Sequence, residues 1–153
     1  MTNPIEISPA LATDASAIAE LIYSTSLICC FTPEQPCPEW FKESVASHQI
    51  ANQLQAEQMV WLVAKVGQML VGVLTIRDRS HVKYFFVHPN HQMGGVGKQL
   101  WHSASRNGLL GNSLTVRSSL FAVPVYERLG FKIIDPPEAF NGMHYQTMVA
   151  SYG

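Results

Sequence analysis

Val87-His88-Pro89-Asn90-His91-Gln92-Met93-Gly94-Gly95-Val96-Gly97-Lys98 joins an aromatic, β-branched run to a stretch with helical spacing. Pro89 ends the strand ladder. The glycines then open a helix whose first N–H groups lie free at the positive end of its dipole. Glycine also lets a backbone approach a phosphate that any Cβ would hold away. The turn is therefore a candidate anion site, with an ordinary glycine-rich turn as the plain alternative. Two nucleotide fingerprints fail here. A Walker A loop needs Gly five residues before Gly97-Lys98 and Ser or Thr after it, where this chain has Gln92 and Gln99. A dinucleotide turn beginning at Gly95-Val96-Gly97 needs Gly or Ala where Leu100 stands, and belongs after the first strand of a βαβ unit.

Reading outward from this turn, residues 81–87 form a strand, and residues 96–107 a helix with Leu100, Ala104 and Trp101 facing the core and Gly108 ending it. Upstream, Ile5 and Ile7 alternate with polar residues as a short strand. Thr13 and Asp14 read as the N-cap and first turn of a helix whose apolar stripe is Ile18, Leu21, Ile22, Thr25 and Cys29. Three prolines between Phe31 and Pro38 interrupt it, and Pro38-Glu39-Trp40 start a second helix running past Val45. Residues 59–64 and 70–76 are buried strands joined through Val66-Gly67-Gln68.

Downstream, residues 114–116 make a strand, and Ser119 caps a helix to Leu129 that ends in Gly130-Phe131. Pro124 conflicts with that reading, since it lies beyond the first turn of a helix capped at Ser119. Residues 132–134 and 143–149 are the last strands, separated by Asp135-Pro136-Pro137 and Asn141-Gly142. The result is an α/β (α+β) chain read as one domain, 1–153, with a mixed sheet of about seven strands and about four helices.

Composition narrows the function. Charged residues are only 14% of 153, the net charge is −1, and Lys and Arg are scattered. No basic footprint for nucleic acid or anionic lipid is expected. Neither a leader pattern nor an apolar run of spanning length is seen, so the expected location is cytoplasmic. Cys29, Cys30 and Cys37 lack metal-ligand spacing and read as reduced thiols, and no metal is expected.

The pattern V-x-P-x-x-Q-x-x-G-x-G, here Val87, Pro89, Gln92, Gly95 and Gly97, resembles the GNAT superfamily of N-acetyltransferases. Ser118-Ser119, Ala122 and Val125-Tyr126-Glu127-Arg128-Leu129-Gly130-Phe131 resemble its second signature, and the order of elements matches end to end. The resemblance implies acetyl-CoA as acetyl-donor cosubstrate. Its pyrophosphate would rest on the N–H groups of Met93, Gly94, Gly95, Val96, Gly97 and Lys98, after Gln92. Its pantetheine arm would pair with Phe85, Phe86 and Val87, in a slot opened where the 81–87 strand bulges and splays from the 114–116 strand. Ser119 would reach the same arm.

Amide formation from a thioester needs a polarised carbonyl, a neutral amine and a proton for the leaving thiolate. By resemblance, an N–H near Val87 polarises the carbonyl and Tyr126 protonates the sulfur; the alternative for Tyr126 is packing between helix and sheet. Some relatives place a catalytic Glu where this chain has His81, whose unperturbed ionisation near 6.5 would suit a base. A solvated strand-end residue is the alternative. His88, Glu34 and Glu39 are further candidates, and Trp40, Phe41 and the proline loop would border the acceptor. The acceptor is a small-molecule or protein amine, with a homodimer left open. A non-catalytic acetyl-CoA-binding module and a structural domain that binds no coenzyme A are the competing functions.

Overall fold

A computed structural model describes residues 4–152, so the ends of the expected domain, 1–3 and 153, lie outside the described residues. Apolar alternation makes β1 (Ile5–Pro9), and a 3₁₀ turn at Ala12–Asp14 leads into α1 (Ala15–Cys29). There follow α2 (Glu39–Ser44), α3 (Ser47–Leu54), β2 (Met59–Val66), β3 (Met69–Arg77) and β4 (His81–Val87). A second 3₁₀ turn, Pro89–Gly94, precedes α4 (Val96–Arg106) and β5 (Ser113–Ser118). The chain then runs through α5 (Val123–Arg128), β6 (Lys132–Ile133), β7 (Glu138–Phe140) and β8 (Met143–Ser151).

The sheet order is β1-β2-β3-β4-β5-β8-β6, with β7 on β8. Every pairing is antiparallel except β4 with β5. That parallel contact is brief: only His81 with Thr115 and Val82 with Val116. Beyond them the strands separate into a fork. Against β3, Thr75 pairs with Tyr84 and Ile76 with Val82, so Lys83 is the extra residue of a bulge at the fork's base.

Two cores sandwich the sheet. On one face Leu74, Ile76, Val82, Leu114, Val116 and Met148 pack beneath Val96, Leu100 and Ala104 of α4. On the other, Val63, Val73 and Tyr84 pack beneath Ile18 and Ile22 of α1 and Ile50 of α3. Gly72 permits the first packing: a Cβ there would lie 2.9 Å from both Leu100 Cδ1 and Val96 Cγ1. It thereby sets how closely the N-terminal end of α4 approaches the sheet.

The described residues hold eight strands and five α-helices, close to the about seven and about four expected. Finer expectations need correction. The second helix does not run past Val45. Ala46 turns extended (φ −63°, ψ 155°), and a separate helix starts at Ser47. The N-cap of α1 is Asp14 and not Thr13, and it makes no side-chain capping bond; its carboxylate accepts from Leu11 N–H (2.8 Å) and pairs with Lys65 (2.9 Å). Ser119 caps a tight turn instead of α5, accepting from Ala122 N–H at 3.2 Å. The helix begins only at Val123, so Pro124 falls in its first turn and the conflict disappears. Between the last two expected strands lies a further one, β7. The Asn141-Gly142 turn, with φ of 46° and 89°, folds it back on β8 as a hairpin.

Candidate active site

The fork creates the site. His88 N–H bonds Val71 O on β3 (2.8 Å). Strand alternation therefore points the backbone of Phe86 toward β3 and that of Phe85 and Val87 toward the open edge. Gln92 Nε2 donates to Val87 O (3.1 Å) and lies 3.9 Å from Cys29 Sγ. Its side chain thus braces the end of β4 against α1. Gln92 and Lys98 are exposed, and Phe85, Phe86, Val87 and Gly97 half-buried.

At the glycine turn, Gly95 adopts φ 80°, the left-handed region, and releases the chain into α4. Val96 is fully buried in the core beneath the helix. The backbone of Met93 lies in the preceding 3₁₀ turn; its side chain is outside the described residues. Nothing lies within 4 Å of where a Cβ on Gly94 or Gly95 would point.

A cavity of about 480 Å³ fills the fork. Phe85, Phe86, Val87, Gln92, Gly95, Gly97 and Lys98 line one wall, and Ser119, Phe121, Ala122, Val125 and Tyr126 the other. The residues read from the sequence on β4, Gln92, Gly95, Gly97 and Lys98 of the glycine turn, and Ser119 and Tyr126 of the second signature thus line one slot, whereas Gly94 and Val96 do not. His81 is not among its lining residues, nor are His88, Glu34 and Glu39. A second hollow of about 540 Å³ lies over β1 and α4 and shares Lys98 with the fork cavity.

Tyr126 is 6% exposed, its ring edge-on to Phe85 (6.1 Å) and Phe131 (5.4 Å). Burial, and secondarily the Cys30 thiol, push its ionisation well above the ordinary tyrosine range. The phenol stays protonated. Cys29 and Cys30 also line the cavity, a placement that sequence reasoning missed. Cys30 is pushed up to about 11, first by burial, against the smaller opposing effect of the Ser119 hydroxyl beside it.

His81 sits at the base of the fork. Its Nδ1 lies 2.7 Å from Thr115 Oγ1, which donates to Ser80 O at 3.4 Å. Nδ1 is thereby engaged by Thr115, and the tautomer decides which of the two donates. Burial first, then Arg77, Arg117 and Lys83, lower its ionisation from 6.5 to about 4. The shift leaves this imidazole neutral at physiological pH and a weak base.

The helix that follows the proline loop is clamped from outside. Trp40 Nε1 donates to Asn141 O (2.7 Å), and its ring meets Phe140 edge-on at 5.5 Å. Trp40, in the first turn of α2, therefore ties that helix to the β7–β8 turn, while Phe41 is buried against Phe31.

The family model described as Acetyltransferase (GNAT) domain matches residues 28–152. No curated protein sequence matches the chain significantly. Among solved structures, a GCN5-related N-acetyltransferase from Rhodopseudomonas palustris superimposes with a TM-score of 0.79 at 21% identity, covering 99% of this chain and 98% of the other. The PaiA N-acetyltransferase of Thermoplasma acidophilum, in complex with coenzyme A, gives 0.78 at 17% identity, with 97% and 99% covered. YncA of Salmonella typhimurium, a putative acetyltransferase with acetyl-CoA, gives 0.69 at 22% identity, with 99% and 95% covered. At these identities the likeness is one of fold.

Proposed function

Because the chain belongs to the GNAT acetyltransferase domain family, and is thereby an acyltransferase, we propose that it takes acetyl-CoA into the β4–β5 fork and passes the acetyl group directly to an amine. The observation that carries this reading is the convergence on one cavity of an unpaired strand edge, a glycine-opened helix N-terminus and a buried tyrosine. The slot suits the cosubstrate chemically. Phe85 and Val87 offer N–H groups to an amide-bearing arm in the manner of a missing strand, and Phe121 and Val125 supply an apolar wall. The N–H groups from Gly95 to Lys98 suit a pyrophosphate.

The cosubstrate supplies the thioester; the residues do the rest. The Phe85 or Val87 N–H polarises the thioester carbonyl, a contact worth about 3 to 4 kcal/mol where one such donor has been removed from other enzymes. Tyr126, held protonated by burial, gives its proton to the departing sulfur. His81, or a water it holds, takes the amine proton. The depressed ionisation of His81 makes it a transient acceptor, but the positive field responsible for part of that shift also favours a neutral amine. Lys83 reports the effect, its ammonium being lowered by burial and then by Arg77.

Thermal unfolding with and without acetyl-CoA, followed by free-thiol release over a broad panel of amines, tests the proposal. Acetyl-CoA should raise Tm. Gly97→Leu should remove that rise while leaving a folded protein: a Cβ at Gly97 meets Phe85 and Val87 at an ordinary 3.6 Å, while the longer side chain enters the slot. Wild-type protein showing no shift at about millimolar cosubstrate would refute the assignment.

A further inference from the structure

Immediately past the last paired residues of the fork, each strand presents a cation: Lys83 on β4 and Arg117 on β5. Arg77, the β3 partner of His81, adds a third. The strand period puts Arg77, His81, Thr115 and Arg117 on one face, because their neighbours Ile76, Val82, Leu114 and Val116 enter the core beneath α4. Lys83 occupies the bulge beside them. The three cations act together on the same imidazole, so they share one region of space.

None of the three is paired with a described carboxylate. Among the described residues the only ion pair is Lys65 with Asp14, so no carboxylate lies within salt-bridge distance of Arg77, Lys83 or Arg117. Arg117 lies over the Tyr145 ring at 5.3 Å and Lys83 over the Tyr84 ring at 5.7 Å. One carboxylate, Glu138 on β7, is near; it is the hydrogen-bond partner that raises Tyr145 above its ordinary ionisation. Nor does the cluster reflect a basic protein, since Lys and Arg number 10 against 11 Asp and Glu. Like charges gathered this way repel one another unless an anion lies among them.

We propose that the acceptor is a small-molecule amine carrying an anionic group, a carboxylate or a phosphoryl group, which Arg117 and Lys83 hold at the base of the fork while the amine enters the slot. This rests on the acetyl transfer proposed above. Arg117 offers a planar, bidentate donor and Lys83 a point charge, so either anion can be seated, and a dicationic polyamine is repelled.

The test uses the whole enzyme with acetyl-CoA and acceptors matched except for the anion. These are ω-amino acids against their amides, and aminoalkylphosphonates against the corresponding alkylamines, each followed by thiol release. Expected is a kcat/KM at least about tenfold higher for the anionic member, falling as salt is raised. The carboxylate and phosphonate arms then identify the source of the anion. Arg117→Gln should collapse the preference and Arg117→Lys restore part of it, with the acetyl-CoA-induced rise in Tm showing that both variants are folded. Amides or alkylamines used as well as their anionic partners would overturn the inference and leave acetyl transfer standing. So would failure to turn over any anionic amine by protein that binds acetyl-CoA. Protein that binds no acetyl-CoA would overturn both.

Discussion

Lowering the pH from about 7.5 to about 5 should destabilise this protein through His81, and replacing that residue should remove the loss. In the folded chain His81 ionises near 4 instead of 6.5. Between those values the unfolded chain holds a proton that the native state does not, so stability falls as pH falls through this window and is fully present above 6.5. Taking the whole shift, the loss at pH 5 is about 2 kcal/mol. His81 is only half-buried, and solvent screening reduces this to about 1 kcal/mol. Urea unfolding of wild type and His81→Gln at both pH values isolates the effect, since other titrating groups contribute equally to the two proteins. The variant should lose about 1 kcal/mol less than the wild type on acidification. Equal losses in the two proteins would show that neither burial nor the Arg77, Arg117 and Lys83 field lowers the ionisation of the imidazole.

Tyr126→Phe should keep the acetyl-CoA-induced rise in Tm and lower kcat by about 10²-fold or more, provided chemistry limits turnover; stopped-flow thiol release checks this, and an unchanged kcat would reduce Tyr126 to packing. Gly72→Ala should cost about 1 to 3 kcal/mol in urea unfolding, because its Cβ falls at 2.9 Å from two side chains of α4, and should weaken acetyl-CoA binding by lifting the glycine turn. A stable Gly72→Ala protein with unchanged binding would show that α4 is not held where this packing places it.

What could be read in the chain was local. The stripe Ile18, Leu21, Ile22 and the glycines after Val87 carry their meaning within a turn or two, and both fall where expected. The hairpin partner of β8 was also legible in principle, as Asn141-Gly142 between apolar runs is a strong turn signal; treating it as a separator concealed β7. The break at Val45-Ala46 is weakly marked, with only Ser47 hinting at a new helix. Cys29 and Cys30 reach the slot because α1 crosses the sheet opposite the fork, a relation no sequence spacing encodes. The ionisation of His81 likewise depends on charges from β3, β4 and β5, which only the register brings together.

The fork also behaves as a lever. From Val82, its last paired residue, β4 runs five residues to Val87, about 16 Å at the usual strand rise. A rotation of about 10° about the apex would widen the mouth by about 3 Å over that arm length. The width of the slot is therefore governed from its narrow end, by His81, Val82, Thr115 and Val116. Substitutions there would alter the grip on a bound arm without touching it, and a ligand bridging the mouth would splint the two halves of the sheet together.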